Sequence, residues 1–176
     1  MQNYKSKLSN IAVSALFTAI ICVLAQISVL TPWGVPFTLQ IFAVSLCGYI
    51  LGVKQTLTSV LAYIFLGIMG VPVFSNFKGG IHTLFGISGG FILGFIALGV
   101  FCGIAKKLKK EYLKIILGIC GVLICHLFGT VQLAIISKTN LLSAFITASL
   151  PFILKDLLLL IAAFYISKII NKRFKI

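Results

Sequence analysis

An all-α membrane protein, folded as a single bundle of six transmembrane helices with both termini cytoplasmic, is the fold class this sequence predicts. Three observations carry it. Hydrophobic residues make up 60% of the 176 and charged residues only 10%, against about 25% charged in ordinary soluble domains. The apolar residues form six long runs, at about 11–30, 37–53, 57–73, 85–105, 115–136 and 141–167, each close to the ~20 residues a helix needs to cross a hydrocarbon core of about 30 Å. Finally, the basic residues gather in alternate connections. With both ends inside, the cytoplasmic face receives Lys5, Lys7, Lys54, Lys106, Lys107, Lys109, Lys110, Lys114, Lys168, Lys172, Arg173 and Lys175, twelve of the fifteen, leaving Lys78, Lys138 and Lys155 on or near the other face. That bias sets orientation.

The first run follows Lys5 and Lys7 as a signal peptide's would, but it is too long for an h-region and five more runs follow, so it is expected to stay in the mature protein. Its segment "SALFTAI" carries Ala15 and Ala19 four residues apart, a small-residue face of the kind that lets membrane helices approach closely. Packing inside the bundle and contact with another protein are both open for it. The second run starts in "TPWGVPF" and ends before Lys54. After the third comes residues 71–90, "VPVFSNFKGGIHTLFGISGG", where Asn76, Lys78 and His82 collect among prolines and glycines. Loops longer than about 12 to 15 residues are usually functional or disordered, and a ligand lid is the expectation here.

In the fourth run Gly86, Gly90 and Gly94, then Gly99 and Gly103, recur at four-residue steps, which predicts close helix packing. The fifth holds Cys125 beside His126, but neighbours on a helix point about 100° apart and do not share a metal unaided. A buried, hydrogen-bonded histidine is expected instead. All five cysteines lie in apolar runs without paired spacing and read as small hydrophobes. Runs this continuous are helices, since barrel strands alternate over about ten residues. No repeat or linker divides the chain, so 1–176 is one membrane domain.

The sixth run contains "PFILKDLLLL", with Asp156 inside it. Counting from the boundary near Lys168 puts this aspartate about eight residues, roughly 12 Å, below the outer surface. An aspartate at a helix centre costs about 2.5 to 3.5 kcal/mol and normally finds a partner or a wet cavity. Phe152, Ile153, Leu159 and Leu160, its neighbours on the same helix face, offer none. The available polar groups are Gln40, Gln26, His126, Asn76, Lys78 and Tyr63, so either a structural Asp–His contact or a polar ligand pocket opening outward accounts for it.

The formal charge of +13 does not point to nucleic acid, because the lysines sit between apolar runs without a basic stripe interleaved with exposed aromatics. Contact with the lipid bilayer explains them. Nothing matches a P-loop, a nucleophile elbow or a paired-carboxylate site, and one membrane acid does not run two-carboxylate chemistry.

The segments "ALFTAIICVLAQISV", "GVPFTLQIFAVSLCGYILG", "LTSVLAYIFLGIMGVPVFSNFKGG", "LFGISGGFILGF" and "PFILKDLLLL", in order from about Ser14 to Ala163, resemble the biotin-specific substrate-binding components of energy-coupling factor transporters, the BioY family. The resemblance implies a six-helix S component that takes biotin from outside and couples, through a transmembrane T component, to two cytoplasmic ATPases, in a bacterial-type plasma membrane. It implies that Ala15 and Ala19 meet the T component. It also implies that Asp156 binds the ligand, with Asn76, Gln40, Thr38, Ser88 and Gly89 as further candidates and Lys78, then His82, for the carboxylate of the tail. No cofactor is expected; biotin is the substrate.

Two departures stand out. Gly86, Ile87, Ser88, Gly89 and Gly90 replace glycine-proline-threonine-glycine-glycine, keeping the hydroxyl. Leu154 and Lys155 replace a proline and glycine before the aspartate, and Leu159 stands where the family has a lysine; Lys155, on a different helix face, is not expected to substitute for it. The alternatives are an S component for another small vitamin or precursor, a membrane-embedded enzyme, or a purely structural subunit.

Overall fold

The computed structural model describes residues 2–29, 31 and 34–174, with side chains from Leu8 to Arg173. The side chains of Lys5 and Lys7, together with Leu30, Pro32, Trp33 and Lys175, lie outside the described residues. The elements in chain order are α1 (Gln2–Gln26), β1 (Ser28–Val29), β2 (Phe37–Thr38), α2 (Gln40–Leu51), α3 (Val53–Ile68), a 3-10 turn (Ser75–Phe77), α4 (Ile81–Leu84), α5 (Gly89–Ala105), α6 (Glu111–Ser137), α7 (Leu141–Ala148) and α8 (Leu150–Phe174).

Each of the six apolar runs is dominated by helix, but the lengths differ from expectation. Leu8–Gln26 and Glu111–Ser137 are long and apolar enough to cross a bilayer, and α7 with α8, bent by 50°, makes a third if the pair is one span. The helices α2, α3 and α5 are shorter. At 12 residues, α2 is only about 18 Å long. Its run was expected to begin at Phe37, yet Phe37 and Thr38 are extended and pair antiparallel with Val29 and Ser28. The helix of the third run, expected from about residue 57, starts earlier at Val53, immediately after Gly52 at φ 82°, a conformation glycine adopts without strain. The last run breaks at Ser149 because Pro151 has no backbone N–H to continue the α7 ladder and its ring fits only a helix's first turn.

Large apolar side chains such as Leu16, Val23, Phe65, Leu127, Leu154 and Leu158 point outward, while Ser14, Thr18, Ser45, Ser59, Gln40, His126 and Asp156 are buried. Exposed apolar patches of this extent mark a surface made for something other than water. Inside, α5 is the central helix. A Cβ on Gly94 would sit 2.7 Å from Cys125 Cα on α6, and one on Gly103 would sit 2.6 Å from the Val53 backbone nitrogen on α3. The glycine stripe therefore serves packing on two sides: the five-residue step between Gly94 and Gly99 turns it by about 140°.

At one end of the bundle Gln55 bonds Asn10 (2.7 Å), Lys106 Nζ donates to Ile50 O (2.6 Å), Tyr49 donates to Lys114 O (3.1 Å) and Lys168 pairs with Glu111 (2.5 Å). The lysine-rich connections thus share one end. At the opposite end Gln26 holds the 71–77 segment, donating to Val73 O (3.0 Å) and Phe74 O (3.2 Å) and accepting from Phe77 N–H (2.9 Å). Gln132 holds the next stretch through Leu84 O (2.6 Å) and Gly86 O (2.7 Å).

Candidate functional site

At this second end lies a narrow, partly open cavity whose water-accessible space is about 40 Å³. The segment before α2 roofs it with Val35, Pro36 and Thr38; α2 adds Gln40 and Ile41, the α5 start Ser88, Phe91, Ile92 and Phe95, α6 His126, and α8 Phe152, Lys155 and Asp156. Spacing explains the walls: Phe91 and Phe95, and likewise Phe152 and Asp156, are four residues apart and share a helix face.

Asp156 is 4% exposed. Its Oδ2 lies 3.1 Å from His126 Nε2, and His126 Nδ1 lies 3.2 Å from Ser149 Oγ, which is 2.6 Å from Thr130 Oγ1. The network runs from the α7–α8 break to the cavity, with the direction of each bond set by the histidine tautomer. Asp156 thus has a histidine partner and also lines the cavity.

Its Oδ1 is a buried oxygen without a hydrogen-bond partner among the described residues. Lys155 Nζ stands 2.8 Å from it as an ion pair, but out of hydrogen-bond alignment. This corrects the expectation that Lys155 faces elsewhere. Its Cα does leave the helix in another direction, but the four-carbon stem is long enough to bring the ammonium back. Nζ also donates to Thr38 O (2.9 Å) and lies 4.4 Å from the centroid of the Phe37 ring.

Of the other expected residues, Thr38, Gln40 and Ser88 line the cavity. Gln40 Oε1 accepts from Thr38 Oγ1 (3.1 Å) and its Nε2 donates to Tyr63 OH (2.6 Å), so it is held rigidly. Asn76, Lys78, His82 and Gly89 are not part of the lining. Asn76 adopts φ 60°; its Oδ1 accepts from Ser28 Oγ (2.9 Å), and its buried Nδ2 has no hydrogen-bond partner among the described residues. Lys78 and His82 are exposed on the loop. A Cβ on Gly89 would collide with Leu84 O and sit 2.6 Å from Gln132 Nε2, so this glycine is a packing position. Ala15 and Ala19 are exposed and line a groove between α1 and α3 with Thr18, Cys22 and Phe65.

Sequence reasoning missed Lys155 and the aromatic walls; the four-residue spacing of the phenylalanines was the available signal. Cys125 Sγ contacts Phe91 O (3.4 Å) while His126 turns to Asp156, so the adjacent pair diverges. Among the described residues no three His, Cys, Asp or Glu side chains are grouped to hold a metal.

A helical bundle apolar outside, with a charge-balanced pocket at one end under a roof of extended chain, is the form of a membrane substrate-binding protein. The chain belongs to the BioY family, whose model matches residues 1–176. It is 40% identical over 151 residues to the probable biotin transporter BioY of Pyrococcus horikoshii, covering 86% of this chain and 89% of the relative. It is 37% identical over 161 residues to the biotin transporter BioY of Thermotoga maritima, covering 90% and 94%. Its fold matches the crystal structure of an S-component for biotin from an ECF-type ABC transporter with a TM-score of 0.87 at 26% identity, covering 96% of this chain and 93% of the other. The architecture is that of an S component.

Proposed function

We propose that this chain is the biotin-binding subunit of a vitamin uptake transporter. It captures biotin at the outer face and delivers it inward when coupled to a transmembrane T component and two cytoplasmic ATPases. The observation that carries the reading is the buried Asp156 oxygen, unbonded beside Lys155 where both line the cavity, in a chain whose relatives are named biotin transporters. It acts as a transport subunit rather than an enzyme and needs no cofactor.

Biotin carries a ureido ring with two N–H donors and one carbonyl, a thioether ring, and a tail ending in a carboxylate. Asp156 Oδ1 accepts from a ureido N–H, the hydroxyls of Thr38 and Ser88 and the amide of Gln40 frame the ring, and Phe91, Phe95 and Phe152 cover the sulfur side. On closing, the 71–90 loop brings the free Asn76 amide, and Lys78 ahead of His82, to the tail. Six membrane crossings, with both ends cytoplasmic in a bacterial-type plasma membrane, accompany this reading; the collection of lysine-rich connections at the end away from the cavity supports it. The exposed Ala15 and Ala19 groove is the surface for the T component, where small side chains let helices meet closely.

Equilibrium binding of labelled biotin to the purified chain, competed by other vitamins, tests the reading. Saturable binding displaced by biotin alone is expected; no binding, or displacement by a different vitamin, refutes it.

A further inference from the structure

Building on the assignment of the cavity to biotin, we infer that Lys155 is its specificity-determining residue: the ammonium balances Asp156 and donates to the ligand's ring carbonyl while Oδ1 accepts the adjacent ring N–H. Adjacent residues on a helix leave the axis about 100° apart, so nothing in the backbone places these two groups together. The lysine stem returns across the Phe37 ring, whose centroid lies 4.4 Å from Nζ, an attraction that favours a cation there. Thr38 O takes one N–H at 2.9 Å and Asp156 Oδ1 lies 2.8 Å away. An ammonium has three donors; Thr38 O takes one and the Oδ1 contact is out of hydrogen-bond alignment, so donor capacity remains for a ligand.

The charge count at this end is simple. Asp156 and Lys155 cancel, and His126 on α6 is the other titratable group in the lining. The roof, α2 and α5 contribute amide, hydroxyl, aliphatic and aromatic groups. Lys155 is also the only lysine or arginine in the lining among the described residues; Leu159, where the resembling family has its lysine, is absent from it. An acceptor oxygen 2.8 Å from a donor nitrogen matches a neutral edge that carries N–H beside C=O, which is the edge of a cyclic urea. A cationic ring would bring its charge against the ammonium, and like charges in contact are strongly selected against.

The probe is 2-iminobiotin, in which =NH replaces the ureido oxygen and the ring is a protonated guanidinium at neutral pH. The wild-type chain is expected to prefer biotin strongly. In Lys155→Met biotin affinity falls about tenfold, the scale of one charged hydrogen bond, while 2-iminobiotin gains, because its cation now balances Asp156. Lys155→Arg keeps the charge and most of the preference. A parallel loss of both ligands in Lys155→Met, with the ratio unchanged, would reduce Lys155 to a structural tie to Thr38 and overturn the inference. Should Lys155→Met not fold, the wild type still decides: equal binding of the two ligands overturns the inference. Failure of the wild type to bind biotin at all is a different result, and it rejects the biotin reading itself.

Discussion

Asp156→Asn removes one charge and leaves the shape, and the structure dictates how the amide must turn. Its NH2 cannot face Lys155 Nζ, which lies 2.8 Å from Oδ1, so it faces His126 Nε2, 3.1 Å from Oδ2. Nε2 must then accept, which moves the imidazole proton to Nδ1, where it meets Ser149 Oγ at 3.2 Å. The serine hydroxyl rotates toward Thr130, 2.6 Å away. The network survives with reversed direction, and a carbonyl oxygen still meets the ligand. The Lys155 contact thus excludes an amide donor facing the ureido ring. What is lost is the difference between a charged and a neutral hydrogen bond, about 1 to 1.5 kcal/mol, or roughly tenfold in biotin affinity. Lys155 also loses its counter-charge, but its side chain is 20% exposed, so water screens part of the cost and about 1 to 2 kcal/mol of unliganded stability goes with it. By the size scaling of soluble domains that is roughly 2 to 8 °C in Tm. Biotin titration and thermal unfolding of the same purified protein measure both, and nitrogen-15 shifts of His126 report the tautomer. Unchanged biotin affinity would refute the ligand role of Asp156, whatever happened to stability.

Replacing both Ala15 and Ala19 with leucine fills an exposed groove, so biotin binding should stay near normal while ATP-driven uptake and recovery with a T component are lost; normal uptake would remove that surface from the coupling role. Lys78→Ala should weaken biotin more than an uncharged biotin amide, by roughly tenfold if the lysine meets the tail carboxylate on loop closure, and equal losses would leave it a loop residue. Gly94→Val puts a side chain where even a Cβ lies 2.7 Å from Cys125 Cα. Since backbone must move, at least ~3 kcal/mol of stability should be lost, at the upper end of ordinary overpacking, as read by thermal unfolding in detergent; a stable Gly94→Val protein would contradict the packing of α5 on α6.

The sequence by itself determined the helical class, the six apolar segments, the gathering of the basic connections and the placing of Asp156 inside an apolar run, because hydropathy and charge are local sums that hold wherever a segment ends up. It also marked the glycine stripe, since a four-residue step fixes a helix face before any partner is known. It did not determine where α2 begins, because Phe37 and Thr38 are as apolar as a helix requires and become extended only by pairing with Val29 and Ser28. The break at Ser149 was half legible in Pro151, but the hydroxyl network that occupies it joins α6 to α8, beyond the reach of any window along the chain. Gln40 and Gln26 were both possible partners for Asp156; Tyr63 and the 71–77 backbone claimed them instead. Most of all, only the tertiary structure decided Lys155. Helical periodicity assigns a face to a Cβ, whereas a charge on a four-carbon stem settles where the field and the free acceptors are, here between Asp156, Thr38 O and the Phe37 ring.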